Sequence, residues 1–126
     1  MKTKVKNDNI KSGNKTKVSA TGANKFKKAF STPKKQKEHW GDHNNEYIPY
    51  GIKTQKQYTR RATELVQSAC DENILGFITK QGEIVRYDKR TNDFAKGFPD
   101  KYLKTMFKPK DGMKYFESEK RKTAVE

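Results

Sequence analysis

Cysteine is almost absent: Cys70 is the single one in 126 residues, so no disulfide can close within the chain. Cys70 falls on the apolar side of a predicted helix. It reads as a small buried hydrophobe rather than a catalytic thiol, because neither histidine is near it in sequence to serve as its base. Long apolar runs are missing too. None approaches the ~20 residues that span a bilayer, and the basic N-terminus lacks the apolar stretch of a secretory signal. If the domain is exported, something outside this sequence exports it. Carboxylates are few and scattered. No Asp-X-Lys or Glu-X-Lys occurs, so the carboxylate–lysine core of metal nucleases is absent and a Mg²⁺ site is not expected. The P-loop signature and GxSxG are absent as well, which removes phosphate-loop and nucleophile-elbow chemistry.

What is abundant is positive charge. Twenty-nine Lys and Arg stand against 15 Asp and Glu, giving a net charge of +14 and a pI near 9.8. A field of that size on a small protein favours polyanions, with anionic membrane surfaces or an acidic protein as the other candidate partners. Hydrophobic residues make up 31% of the chain, enough for one modest core.

Residues 1–31 are rich in Lys, Asn, Ser, Thr and Gly without a period, and read as a flexible basic arm or linker. Phe26, Ala29 and Phe30 are the points where it could begin to dock. Residues 32–126 form the folded domain. Thr32-Pro33 is a cap followed by a first-turn proline, predicting a polar helix over Lys34–Asn44. Pro49-Tyr50-Gly51 is a turn. Thr54 caps a second helix running to about Cys70, with Tyr58, Ala62, Leu65, Val66, Ala69 and Cys70 along one stripe. The period then shortens. Strands are predicted over Ile74–Thr79, Glu83–Asp88, Asp93–Phe98 and Tyr102–Phe107, separated by turns at Gln81-Gly82, Asp88–Asn92 and Pro99-Asp100. A short fifth strand is expected at Met113–Phe116, then a charged tail over 117–126. The reading is α+β, with N-terminal helices packed on one face of a twisted antiparallel sheet of four to five strands.

The chemistry concentrates on His39 and His43, four residues apart and so on one face of the first helix. Such a pair is half of a zinc site, but no convincing third and fourth ligand follows: Cys70 stands alone and Asp42 is weak. The pair also suits metal-independent RNA cleavage. One imidazole takes the proton of the 2′-OH, the other returns a proton to the leaving oxygen, and a cation steadies the phosphate. Lys34, Lys35 and Lys37 precede His39 and could supply that cation, and a nearby lysine would help keep the base neutral. Thr105 and Lys108 at a strand end can hold a phosphate. Aromatics interleaved with basic residues, among them Trp40, Tyr47, Tyr50 and Tyr115, could stack on bases or belong to the core.

Two segments carry a family resemblance. One is Lys35-x₃-His39-x₃-His43-x₂-Glu46-Tyr47. The other is Tyr87-Asp88-x₂-Thr91-Asn92-x-Phe94, followed by Thr105-x-Phe107-x-Pro109. Over roughly residues 34–116 the chain resembles the C-terminal toxin domains of contact-dependent growth inhibition and related polymorphic toxin systems. These are similar to the colicin D and colicin E5 type of tRNase, within the barnase–EndoU–colicin–RelE fold group. The resemblance implies helices on an antiparallel sheet and cofactor-free, metal-independent cleavage of RNA, often a tRNA, leaving a 2′,3′-cyclic phosphate. It implies an acidic immunity protein over the active site and, in some systems, an activating host factor. It also implies export within a larger toxin protein and action in the target-cell cytoplasm. Carried over by position, His39 and His43 are base and acid, Lys35 or Lys37 contacts phosphate, and Thr105 hydrogen-bonds the scissile phosphate. Arg86, Lys108 and Tyr115 are further RNA contacts. The rival expectations are a non-catalytic basic RNA-binding module of the ribosome-associated type and, below it, a zinc-dependent DNase built on the two histidines.

Overall fold

The computed structural model describes residues 18–26 and 29–125. Helix α1 (Pro33–Tyr47) begins where the sequence signals it. The Thr32 hydroxyl oxygen accepts the Lys35 N–H at 3.0 Å, and Pro33 fills a first-turn position that needs no N–H. The helix extends past the predicted Asn44 and passes into a 3₁₀ turn, Ile48–Tyr50. Gly51 closes that turn at φ 90°, a conformation that glycine adopts without strain. Thr54 caps α2 (Gln55–Gln67) in the same manner, accepting the Gln57 N–H at 3.1 Å. Tyr58, Ala62, Leu65 and Val66 are all buried, as the helical period requires. The helix ends three residues before the expected Cys70. Asp71 folds its carboxylate over the N–H groups of Asn73 and Ile74, turning the chain into the sheet. Ala69 is therefore exposed and Cys70 half-buried on a connection, not on a helix face.

Strands β1 (Ile74–Ile78), β2 (Ile84–Asp88), β3 (Asp93–Gly97) and β4 (Leu103–Phe107) pair antiparallel in chain order. The fold is α+β, as expected, with four strands. The expected fifth strand and charged tail are instead a third helix, α3 (Met113–Thr123). Residues 114–123 are mostly strong helix formers, and Lys120, Arg121 and Lys122 in the last turn oppose the helix dipole. Tertiary packing decides the rest. Phe116 docks on Phe77 and Tyr87, with ring centroids 5.5 and 5.6 Å away.

The helices accordingly cover both faces of the sheet, not one. On one face Ile74, Ala95, Leu103 and Met106 meet Tyr47 of α1 and the apolar stripe of α2. On the other, Phe77, Val85, Tyr87 and Phe94 meet Phe116. All five residues of β2 are buried in consequence. Each sheet edge carries one isolated bridge: Thr79 to Ala124 just beyond β1, and Phe30 to Leu103 at the start of β4.

Arg86 is completely buried. Its guanidinium donates to the carbonyls of Ser68 (2.8 Å), Ala20 (3.0 Å), Gly22 (2.8 Å) and Val85 (3.0 Å). It can lie there because Gly76 stands opposite it in the register: a Cβ at Gly76 would collide with Arg86 Nη1. A guanidinium committed to the interior does not meet a phosphate at the surface, so Arg86 leaves the set of RNA contacts. The described part of the expected arm is packed: Asn24 is buried, and its N–H donates to the Gln67 carbonyl at 3.2 Å. Replacing Arg86 with Leu would leave these carbonyls without their donor. The expected result is a loss of at least about 2 kcal/mol in denaturant unfolding, with cleavage by protease near Gly22 before the rest of the domain opens. Unchanged stability would show that the guanidinium holds nothing.

Candidate functional site

Lys35, His39, His43 and Glu46 recur every three or four residues, so α1 presents them as one row. Lys37, two positions from Lys35 and from His39, falls about 200° around the helix from each and is exposed away from the row. The imidazoles of His39 and His43 lie nearly parallel, 13° between planes, with centroids 6.3 Å apart. They are the middle of a four-ring stack, with Phe30 4.9 Å from His39 and Phe107 5.9 Å from His43.

The two rings have different surroundings. His39 Nδ1 is buried and has no hydrogen-bond partner among the described residues. Burial first, then the charge of His43, pull the His39 pKa down from 6.5. Asp42 opposes this and Lys35 adds to it, so His39 is neutral at pH 7. His43 Nδ1 instead lies 2.7 Å from a Glu46 carboxylate oxygen. That contact directs an Nδ1 proton at the carboxylate, so a second proton on the ring sits on Nε2. The other Glu46 oxygen accepts the Lys108 backbone N–H at 2.8 Å, so the loop after β4 fixes the carboxylate that orients the histidine.

A cleft of about 190 Å³ opens at His39, lined by Ser31, Lys35, Tyr102 and Lys104. Lys104 arrives there through an irregularity in the β3–β4 ladder, where Lys96 pairs with Thr105 but Gly97 pairs with Leu103. The cleft thus brings His39 together with two exposed lysines, Lys35, whose charge acts on the imidazole, and Lys104, whose ammonium lies 5.7 Å from the Phe98 ring centroid. Sequence reasoning missed Lys104, Tyr102 and Ser31, because nothing local signals the register shift. Glu46, at i+3 from His43, was within reach of the helical period.

Other sequence candidates go elsewhere. Thr105 lies across from Lys96 on the sheet face opposite Met106 and is not brought to the His39 cleft. Tyr115 is on α3, not a strand, and packs its ring 5.0 Å from Phe94 and 5.5 Å from Phe107. Lys108 is almost wholly enclosed. Its ammonium donates to Asp93 at 3.0 Å and to the Thr91 carbonyl at 2.7 Å. Those bonds belong to an internal charge network. Arg61 reaches Asp93 (3.1 Å) and Asp88 (2.9 Å), and Arg90 closes on Asp88 (3.2 Å). Burial alone would raise the Asp88 carboxyl, but hydrogen bonds from Arg90 and Arg61 outweigh it and hold it below its ordinary value. Tyr47 is fully buried beside this network. Its hydroxyl faces Asp93 without a well-aligned hydrogen bond, and burial followed by the Asp93 charge pushes its pKa far up.

Among the described residues, no group of three or more His, Cys, Asp or Glu is placed to share a metal ion, and no helix is long and apolar enough to cross a membrane. Fold and site together define a small basic α+β domain whose first helix carries two stacked histidines, one of them, His39, lining a cleft. No protein-family model matches the chain, and no curated protein matches it in sequence.

Proposed function

We propose that this chain is a metal-independent endoribonuclease. By its resemblance to the polymorphic toxins, we read it as a toxin domain that cuts tRNA and is neutralised by an acidic immunity protein. The observation that carries the reading is the pair of parallel imidazoles 6.3 Å apart with unlike surroundings, next to a lysine-lined cleft. Neutral His39 takes the proton from a ribose 2′-OH. The 2′-oxygen attacks phosphorus, the bond to the 5′-oxygen breaks, and protonated His43 gives its Nε2 proton to that oxygen. The product is a 2′,3′-cyclic phosphate. Lys35 and Lys104 face the phosphoryl oxygens and offset the charge that builds on them. Glu46 holds His43 in the orientation the proton transfer needs. The net charge of +14 favours both the RNA and an acidic inhibitor competing for the same surface.

The test is digestion of total bacterial RNA in the presence of a chelator, with the His39→Ala/His43→Ala variant alongside. Discrete tRNA-sized fragments ending in cyclic phosphate are expected from the wild type and none from the variant. Cleavage should fall on acidification through an ionisation below pH 6.5, because His39 must be neutral to act as base and its pKa is depressed. Intact RNA that is nonetheless retarded on a native gel, with and without cell extract, would replace the nuclease by a binding module. Activity lost to the chelator would point to a metal-dependent enzyme.

A further inference from the structure

Beyond His43, where α1 ends, a second and larger cleft of about 410 Å³ opens among Tyr50, Arg61, Arg90, Thr91, Asn92 and Lys108. Tyr50 is 72% exposed, more than any other large hydrophobic among the described residues. Its ring is not loose. The Lys108 ammonium sits 4.4 Å from the ring centroid and is itself anchored by Asp93 and the Thr91 carbonyl. Pro49 and the left-handed Gly51 fix the turn that carries it. An exposed aromatic face over an immobilised cation is a stacking platform whose ordering cost is largely met before any ligand arrives.

Three cations border the cleft: Arg61 and Lys108 are held by Asp88 and Asp93, and Arg90 by Asp88, with Asp71 acting on it from outside. Arg90, its side chain 59% exposed, stands at the mouth. The cleft is tied to the two-histidine site through one side chain: Glu46 binds His43 with one oxygen and the Lys108 N–H with the other. Tyr50 follows His43 by seven positions along α1 and the following turn, roughly 10 Å at a helical rise. A short stretch of single strand spans that distance.

We infer that this cleft is a nucleotide subsite. It takes an unpaired base of single-stranded RNA on the Tyr50 ring, and Arg90 holds the adjoining phosphate. The inference rests on the ribonuclease reading for the direction of the strand, but its test does not need cleavage. The probe is a 2′-O-methyl octanucleotide, which lacks the 2′-OH and cannot be cut, titrated into the full chain. An abasic octanucleotide of the same backbone serves as control. Tyr50→Ala is expected to weaken binding of the first about tenfold, Tyr50→Phe to preserve it, and Tyr50→Ala to leave the abasic control unchanged. Arg90→Gln should weaken both. Equal binding by wild type and Tyr50→Ala, or equal losses on both probes, would overturn the subsite, as would no binding at all. The two readings fail separately. RNA cleavage with Tyr50-independent binding removes only the subsite, and Tyr50-dependent binding without cleavage removes only the nuclease.

Discussion

His39→Phe is expected to fold at least as stably as the wild type while losing RNA cleavage by roughly two to four orders of magnitude, the range for removal of a general acid or base. Stacking between Phe30 and His43 is a role that phenylalanine fills without leaving a buried nitrogen unpartnered. Relief of an unmade hydrogen bond is worth up to about 1 kcal/mol here. The pH dependence sharpens the expectation. The folded state holds His39 at a lower pKa than the 6.5 of an ordinary histidine, so it binds fewer protons than the unfolded chain over that window. Wild-type stability should therefore decline as pH falls below 6.5, and the His39→Phe variant should lack that component of the decline. Melting curves across pH, with a cleavage assay on the same samples, give both readouts. A stable variant that still cuts RNA at the wild-type rate would remove His39 from the chemistry and reduce the stack to packing.

Asp93→Ala should be the most damaging single change to the fold. Its carboxylate is nearly sealed from solvent and receives hydrogen bonds from Arg61, Lys108 and Thr91. Removing it leaves the Lys108 ammonium without a carboxylate and Arg61 with Asp88 alone, which costs about 3–5 kcal/mol out of the roughly 5–15 kcal/mol that hold a domain of this size. A fall in Tm of roughly 15 °C or more follows. Adding Lys108→Met to Asp93→Ala should recover part of the loss, because it removes the ammonium left without a carboxylate. A Tm within a few degrees of wild type for the single variant would mean that the network adds no stability. Asp88 gives the same network an acid limit. Its folded pKa lies below the ordinary carboxylate value of about 3.9, so the stability it contributes is complete above that value and is lost as pH falls through the lower, folded one.

The helix starts were legible because caps are local chemistry: Thr32, Pro33 and Thr54 each satisfy or avoid an orphan N–H within one turn. Strand boundaries came within a residue of those observed, since turn residues and the two-residue period are local as well. The choice between Lys35 and Lys37 was also available, because only Lys35 shares the histidine face of a 3.6-residue helix. Arg86 shows where local reading stops. Alternation along β2 puts it on the same face as Ile84, but does not show that α2 and the segment at Ala20–Gly22 cover that face. Residues 113–123 were misread because Tyr115-Phe116 among charged residues fits a strand end as well as a helix anchored by Phe116.

By itself the sequence determined the charge, the two capped helices, the four-strand meander and the alignment of Lys35, His39, His43 and Glu46 on one helical face. The tertiary structure alone decided that both sheet faces are covered, that Arg86 and Lys108 spend their charge inside the protein, and that a register shift delivers Lys104 to the His39 cleft. The reason is geometric. Periodicity fixes where a side chain points relative to its own element, whereas what it meets there depends on residues tens of positions away.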